Sequence, residues 1–273
     1  MDFSLYLRFF ESYPVCFVVA FALLGLAVGS FLNVVIYRLP IMLERDDSDG
    51  QRFDLAKPDS ACPRCGHKIA WYENIPVLSY VALQGKCSGC ALPISIRYPL
   101  IELLTGCLWA WVAIKFGFSV EALIVAFMAS VLVSLFFIDL DTMYLPDALT
   151  LPLLWVGLLA STEFIFISAR SAIWGAAIGY TLPLLISKMM KWRCGDNAIG
   201  GGDLKLLAAL GTFLGVTSVL NVLFFASVAF VVVELAKICV GRGDKIAAFG
   251  PAIAVAGWLE FMLGSSPYWW GMF

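Results

Sequence analysis

Apolar runs long enough to cross a lipid bilayer follow one another along most of this chain. A helix needs roughly 20 apolar residues to cross about 30 Å of hydrocarbon. Eight runs come near that length, although the sixth is short: 14–37, 99–115, 119–138, 147–167, 171–190, 203–216, 218–237 and 246–264. Only 14% of the 273 residues are charged, whereas a soluble domain has about a quarter. We therefore predict an all-α polytopic membrane protein with about eight transmembrane helices.

The Lys and Arg residues predict which loops face the cytoplasm. Of these 18 residues, fifteen fall in loops on one side of the predicted spans, and Arg8, Lys115 and Arg170 fall on the other. Cytoplasmic loops hold the excess of positive charge, so we expect loop 38–98 to be cytoplasmic and both termini to lie outside. That loop is near the upper length at which the charge rule applies. Without its eight basic residues, seven Lys and Arg residues remain on the cytoplasmic side and three on the other. The net charge is only -2, and nucleic acid is not an expected partner.

Two Cys-x-x-Cys pairs occur in this loop, with 21 residues between them: Cys62 with Cys65, and Cys87 with Cys90. Four thiolates with such spacing can close a tetrahedron around Zn²⁺. Disulfides are disfavoured because cytoplasmic thiols stay reduced, and a redox site would not need two pairs. We predict a zinc site that is structural, because four thiolates leave no open position for water or substrate.

Other features of the loop allow two interpretations. His67, the only histidine, is either an exposed residue beside Cys65, which we favour, or an alternative ligand. Residues 71–76, Trp-Tyr-Glu-Asn-Ile-Pro, form either a binding surface or the hydrophobic side of a small module. We expect the remaining cysteines to pack as small hydrophobic residues in or beside apolar segments. These are Cys16, Cys107, Cys194 and Cys239.

Aspartates mark the cytoplasmic ends of the third and sixth predicted spans. Asp139 and Asp141 end the third, Asp147 follows in Leu-Pro-Asp, and Asp203 opens the sixth after three glycines, 200–202. An ionisable residue at the edge of a span is costly and marks a candidate functional site. The glycines allow the backbone of an extended substrate to come close to Asp203.

Each aspartate also has a structural interpretation, with one exception. Asp147 and Asp203 stand at the start of helical runs and could be N-caps, which we favour for Asp147. Asp141 could be a solvated loop residue. Asp139 ends an apolar helix, where the macrodipole disfavours a negative charge, so no structural role recommends an aspartate there.

Two carboxylates that lie together can share a proton. One then acts as general base on water, while the other, protonated, polarises the scissile carbonyl. We therefore expect Asp139 and Asp203 to form the catalytic pair of an aspartyl protease. The dipole at a helix C-terminus favours Asp139 as the protonated partner.

Together these residues resemble the bacterial type IV prepilin peptidase family, which belongs to the Gly-x-Gly-Asp class of aspartyl proteases. The similar segments run through most of the chain: 29–35, 38–40, 62–67, 73–76, 85–87, 97–99, Glu102, 139–147, 200–207 and 249–251. Gly201 departs slightly from the pattern, since the family often has a bulkier residue at that place.

The resemblance implies a function, a location and a methyl donor. Members of the family cleave the short basic leader of prepilins and pseudopilins after a Gly, at the cytoplasmic face of the bacterial inner membrane. The family pattern places the catalytic aspartates at Asp139 and Asp203. Long members, which carry the four-cysteine loop, also methylate the new N-terminal residue, usually Phe, with S-adenosylmethionine. The chain has no glycine-rich fingerprint for a methyl donor, so methylation is implied by the resemblance alone.

The expected organisation is a transmembrane helix in 1–37, a methyltransferase-associated zinc loop in 38–98 and a transmembrane aspartyl peptidase domain in 99–273. The expected partners are prepilin or pseudopilin substrates and membrane lipid.

Two other functions compete with this prediction. One is an ion-coupled transporter with Glu102, Glu234 and Glu260 inside its spans, although no repeat of the two halves is evident. The other is a zinc-anchored scaffold whose aspartates are only caps and loop charges.

Overall fold

Each apolar run predicted from the sequence corresponds to helix in the structure. The structure, a computed structural model, describes residue 10 and residues 12–45, 53–194, 200–240 and 247–264. The α-helices are α1 Pro14–Glu44, α2 Leu78–Ala82, α3 Arg97–Phe116, α4 Val120–Thr142, α5 Asp147–Thr162, α6 Ala169–Cys194, α7 Gly201–Cys239 and α8 Gly250–Leu263. A short 3₁₀ helix covers Trp71–Asn74. Among the described residues, β-pairing is limited to two isolated bridges. The predicted all-α fold is therefore confirmed.

The described helices match the predicted apolar runs once the longest helix is divided. Helices α1, α3, α4, α6 and α7 are long and apolar enough to cross a membrane, and α5 and α8 are shorter apolar helices. Helix α7 is broken at Gly215, whose φ of 75° and ψ of -176° are not helical. Such a φ is readily adopted only by glycine. The break lies beside the predicted boundary between the runs 203–216 and 218–237, so the described helices account for all eight predicted runs.

The chain forms two compact units, Met1–Ser134 and Leu135–Phe273. In the first unit, α1 packs against α3 through two glycines of α1. A Cβ atom added at Gly25 would lie 2.7 Å from Cβ of Trp109, and one added at Gly29 would lie 2.7 Å from Cα of Glu102. Small residues four apart let membrane helices approach closely. This approach brings the residues that follow Gly29 beside Glu102.

In the second unit, α7 packs against α5, α6 and α8. Its contact with α6 is again made by glycines four residues apart, Gly175 and Gly179. A Cβ atom at Gly179 would lie 2.7 Å from the carbonyl oxygen of Leu207, and Gly175 meets the backbone of Gly211. Leu207 is fully buried. The first half of α7, which begins beside Asp203, is therefore held tightly by its neighbours.

The isolated cysteines do not all pack inside the protein. Cys16, Cys107 and Cys239 are exposed on α1, α3 and α7, so the predicted interior packing is wrong for these three. An outward position is tolerated on a membrane-spanning helix, because lipid is as apolar as the protein interior. The side chain of Cys194 lies outside the described residues.

Candidate functional site

Asp139 lies in the last turn of α4, which continues to Thr142, beyond the predicted end at residue 138. Its side chain is buried, with only 4% of the residue exposed. Oδ2 of Asp139 accepts a hydrogen bond of 2.9 Å from the backbone N–H of Gly250, the first residue of α8. Although Asp139 ends its own helix, its carboxylate therefore faces the N-terminus of another.

Asp203 lies in the first turn of α7 and is half-buried. Its Oδ2 accepts a hydrogen bond of 3.3 Å from the backbone N–H of Gly200, the residue that precedes the helix. Asp203 thus caps its helix from the third helical position, and not as the N-cap residue itself. It is also close enough to Asp139 for the two charges to interact. The two residues form what we call the aspartate pair.

The structure removes the difference in helix dipole that led us to predict Asp139 as the protonated partner. We expected the dipole of α4 to make Asp139 the protonated partner. The carboxylate of Asp139 instead accepts the Gly250 N–H at the start of α8, and Asp203 stands at the start of α7. Both carboxylates therefore lie at helix N-termini, where the dipole favours negative charge. Which of them holds a shared proton does not follow from the dipoles.

The link between α4 and α5 packs against the N-terminal ends of α7 and α8, the two helix ends whose backbone contacts the aspartate pair. Leu145 in this link is buried. A Cβ atom at Gly202 would lie 2.8 Å from Cβ of Leu145, and one at Gly250 would lie 3.2 Å from its Cδ1. The backbone beside Asp203 and the donor to Asp139 are therefore packed against one side chain. Gly201, by contrast, has no atom of the described residues within 4 Å of its added Cβ position, which leaves space open on that side of Asp203.

Two other aspartates of this region have roles that differ from the predictions. Asp147 begins α5 but makes no side-chain cap, so the favoured N-cap interpretation is wrong. Both of its carboxylate oxygens accept hydrogen bonds from Nζ of Lys205, at 2.6 and 2.7 Å. Because Lys205 lies in α7, this ion pair ties the start of α5 to the start of α7. Asp141 is exposed, as predicted, but it lies in the last turn of α4 and not in a loop.

The four predicted zinc ligands come together in the first unit. The Sγ atoms of Cys62, Cys65, Cys87 and Cys90 all lie within 4.8 Å of one another. Sγ of Cys62 is 4.0 Å from that of Cys90, and Sγ of Cys65 is 4.0 Å from that of Cys87. Sulfurs bound to one zinc ion at about 2.3 Å would be separated by roughly 3.8 Å. The four thiols therefore fit a tetrahedral metal ion.

The two Cys-x-x-Cys segments repeat one backbone pattern. In the first, the N–H of Cys62 donates to the carbonyl of His67, and the N–H of Gly66 donates to that of Cys62. In the second, the N–H of Cys87 donates to the carbonyl of Leu92, and the N–H of Ala91 to that of Cys87. Gly66 and Ala91 follow the second cysteine of their segments and both have positive φ.

Backbone donors favour the metal-binding form of one thiol in this cluster. The N–H groups of Arg64 and Cys65 lower the pKa of the Cys62 thiol to about 6. The thiolate, which is the form that binds metal, is therefore favoured at Cys62.

His67 lies beside the cluster without belonging to it. Its Nε2 is 3.3 Å from Oε2 of Glu73 and 3.0 Å from the hydroxyl of Ser88. The Ser88 hydroxyl, the backbone N–H of Ala70 and the His67 side chain together lower the pKa of Glu73. His67 thus links the two cysteine segments to the 3₁₀ helix, which agrees with the favoured interpretation of it as a residue beside the ligands.

Each carboxylate that a transporter would need has a hydrogen-bond partner of its own. Glu234 is paired with Lys237 on its own helix at 2.6 Å. Glu260 accepts a hydrogen bond of 3.1 Å from Nδ2 of Asn221. Glu102 lies in the first unit, where its Oε2 accepts the backbone N–H of Val77 at 2.8 Å.

Two carboxylates that interact with each other, each with a backbone donor and one with open space beside it, can activate water against a peptide carbonyl. Fold and site together define the class as a multi-pass membrane peptidase with a separate module that can hold a metal ion. Two family models match the chain: the Bacterial Peptidase A24 N-terminal domain over residues 23–116 and the Type IV leader peptidase family over residues 126–235. The chain belongs to the type IV leader peptidase family.

Curated relatives are similar over nearly the whole chain. A Prepilin leader peptidase/N-methyltransferase of Neisseria gonorrhoeae is 45% identical over 267 residues, which cover 91% of this chain and 93% of the relative. Proteins with the same name are 44% identical in Aeromonas hydrophila, over 91% of each chain, and 41% identical in Pseudomonas aeruginosa, over 94% of each chain. No solved structure gave a significant match.

Sequence reasoning missed two residues that contact these aspartates. The donor to Asp139 is the N–H of Gly250, and the only signal for it was the similarity of residues 249–251 to the family. The partner of Asp147 is Lys205, two residues after Asp203, and a charge at that place within an apolar helix was a usable signal. Neither contact follows from local sequence, because each joins helices that are distant in the chain.

Proposed function

We propose that this protein removes the leader peptide of prepilins or pseudopilins with the Asp139–Asp203 pair and then methylates the new N-terminal residue. The observation that carries the proposal is the meeting of two carboxylates from the ends of α4 and α7 in a member of the type IV leader peptidase family. The relatives carry both activities in their names.

In the proposed cleavage step, one carboxylate of the pair takes a proton from a water molecule as the water attacks the scissile carbonyl. The other carboxylate is protonated and donates a hydrogen bond to the carbonyl oxygen. The N–H groups of Gly250 and Gly200 hold the two side chains in place. The open space at Gly201 lets an extended backbone pass beside Asp203.

We further propose that the pair faces the cytoplasm in the bacterial inner membrane, as the distribution of Lys and Arg predicts. Zinc is the metal that four thiolates favour, and in this closed site it would hold the fold of the module. S-adenosylmethionine would supply the methyl group as a co-substrate. The predicted division has a helix in 1–37, the methyltransferase-associated loop in 38–98 and the peptidase in 99–273, and the N-terminal family model extends from the first of these segments into the last, over residues 23–116.

The test is leader cleavage by the purified full-length protein in lipid nanodiscs, with a synthetic prepilin peptide followed by mass spectrometry. Asp139→Asn and Asp203→Asn should each lower kcat by roughly three orders of magnitude or more, the scale seen when a catalytic residue is removed. Asp141→Asn is the matched control. Asp141 is exposed and lies two residues after Asp139 on the same helix, so this variant should retain normal cleavage.

A second reaction separates catalysis from folding. Methylation of a peptide that already has the mature N-terminus should continue in Asp139→Asn and Asp203→Asn, since it needs no cleavage. Normal leader cleavage by both variants would contradict the proposed pair. Absence of methylation by the wild-type protein would contradict the second activity only.

A further inference from the structure

The first unit contains a polar cluster that leader cleavage does not use. Its members are Ser30 of α1, Asn74 of the 3₁₀ helix and Glu102 of α3, which we call the acceptor cluster. The Ser30 hydroxyl is 3.5 Å from Oδ1 of Asn74, and Ser30 also interacts with the Glu102 side chain. Three segments that are distant in sequence therefore bring polar oxygen atoms near one another.

Glu102 is a buried carboxylate in a membrane-spanning helix, with 8% of the residue exposed. Burial of a charge at such a position is costly unless an opposite charge compensates it. Among the described residues, no Lys, Arg or His side chain pairs with Glu102. The other buried charged residue of this unit, Arg38, donates instead to the carbonyl oxygens of Asp54 and Pro58. Glu102 thus lacks a cationic partner within the described chain.

The backbone beside the cluster is held in an unfavourable conformation. Val77 has φ 61° and ψ -47°, and the N–H of Leu78 donates to the carbonyl of Pro76 at 2.6 Å. These values define a γ-turn of the rare positive-φ kind, which is strained for a β-branched residue. The N–H of Val77 donates to Oε2 of Glu102 at 2.8 Å. Strain that is fixed in this way is found mainly at functional sites, and here it holds the Asn74 segment over Glu102.

We propose that the acceptor cluster binds the α-ammonium group of the newly cleaved substrate, with Glu102 as its counter-ion and as the acceptor of its proton. The proposal rests on the methyl transfer proposed above. An ammonium group has three N–H donors, and the cluster offers three oxygen acceptors, one from each residue. Exposure decreases from the exposed Asn74 through the half-buried Ser30 to the buried Glu102, so the cluster is open at one end. The predicted binding role for residues 71–76 is therefore favoured over simple packing.

The proposed role fits the chemistry of N-methylation. The α-ammonium group first transfers one proton to the Glu102 carboxylate, which leaves a neutral amine. The nitrogen lone pair then attacks the methyl carbon of a methylsulfonium co-substrate, so an N–C bond forms while the C–S bond breaks and its electron pair stays on sulfur. The products are a secondary methylammonium, a neutral thioether and a protonated Glu102, which returns its proton to solvent.

Glu102→Gln tests the proposal with little change of shape. The glutamine keeps an oxygen that can accept the Val77 N–H but loses the negative charge. Methylation of a synthetic peptide that begins with a free Phe amine should fall roughly 100-fold or more, since proton transfer contributes about 10²–10⁴ to rate. Glu121→Gln makes the same chemical change in the first turn of α4 and should methylate as the wild type does.

A binding measurement distinguishes amine recognition from a structural role. The wild-type protein should bind the free-amine peptide about tenfold more tightly than the same peptide with an acetylated N-terminus, because one ionic hydrogen bond is lost. Glu102→Gln should bind both peptides equally. Wild-type methylation by this variant, or an unchanged preference for the free amine, would overturn the proposal while leaving the methyltransferase activity of the wild type established.

A measurement on the unmodified chain covers the case in which Glu102→Gln does not fold. A water-soluble carbodiimide joins a carboxylate to an amine in direct contact, and mass spectrometry identifies the residue. We expect the free-amine peptide to couple at Glu102, and the acetylated peptide not to couple. Coupling at other carboxylates without coupling at Glu102 would also overturn the proposal.

Discussion

The backbone N–H of Gly250 donates to Oδ2 of Asp139 over 2.9 Å, although 111 residues separate the two in sequence. A Cβ atom added at Gly250 would lie only 2.6 Å from the same oxygen. The close approach of the α8 backbone to the carboxylate therefore requires a residue without a side chain. It also directs the N-terminus of α8 at the side chain that we propose to be catalytic.

Gly250→Ala should therefore displace the Asp139 carboxylate. A shift of about 1 Å in a catalytic group can cost roughly 100-fold in rate, and we expect kcat for leader cleavage to fall by about that factor. Steady-state kinetics with the prepilin peptide measure the change. The zinc content should stay the same, because the cysteine cluster belongs to the other unit.

Gly201→Ala is the matched comparison, since its added methyl group meets no atom within 4 Å in the part of the chain that the structure describes. Any loss should appear in KM, through the space that the substrate would occupy, and not in thermal stability. If Gly250→Ala lowers kcat no more than Gly201→Ala does, the contact between Gly250 and Asp139 is not needed for cleavage.

The apolar runs were predictable because the bilayer fixes the length of a spanning helix and requires every backbone group to be satisfied within it. The break at Gly215 was also visible, as the gap between two runs. The four cysteines were predictable because metal geometry restricts their spacing. In each case one physical constraint acts on a short stretch of sequence.

The contacts between helices were not predictable in the same way. The glycine pairs Gly25 with Gly29 and Gly175 with Gly179 carry a known small-residue spacing, which was a usable signal that we did not apply. No local pattern indicates that Lys205 meets Asp147, or that Ser30 and Asn74 meet Glu102. These contacts depend on which helices become neighbours, and that follows from the packing of the whole unit.

The ion pair between Lys205 and Asp147 should matter more for cleavage than for stability. Both side chains are more than a third exposed, and such pairs contribute about 0.2–1 kcal/mol. Because the pair fixes the turn that carries Asp203, we expect Lys205→Met to lower kcat several-fold while the melting temperature changes by about 2 °C or less. Kinetics and thermal unfolding of the same sample measure both.

Exchange of the two charges tests this interpretation. The double variant Asp147→Lys, Lys205→Asp should recover part of the activity that each single substitution loses. Lys237→Met, which removes the other exposed 2.6 Å ion pair of α7, should leave cleavage unchanged. Full activity in Lys205→Met would mean that the first turn of α7 keeps its position without the pair.

The four-cysteine cluster predicts one zinc ion per chain. Cys62→Ser and Cys87→Ser, one substitution in each segment, should each lose the metal, because structural zinc needs all four ligands. Cys107→Ser is the control, since Cys107 is exposed on α3 and lies outside the cluster. Elemental analysis of the purified proteins measures the ratio. Absence of zinc from the wild-type protein would contradict the predicted metal.

Gly66 and Ala91 occupy equivalent positions in the two cysteine segments and have φ values of 71° and 56°. A positive φ costs an alanine about 1–2 kcal/mol, whereas glycine adopts it freely but loses about 0.5–1 kcal/mol more entropy on folding. Because metal binding and folding of the module are coupled, Ala91→Gly should tighten zinc binding by about two- to fivefold. Gly66→Ala should weaken it by a similar factor, since no atom of the described residues lies within 4 Å of the added methyl group, which leaves the strained φ as the main cost. Competition with a chelator measures both affinities on the full-length protein, and a change of the same sign in the two variants would contradict the equivalence of the two segments.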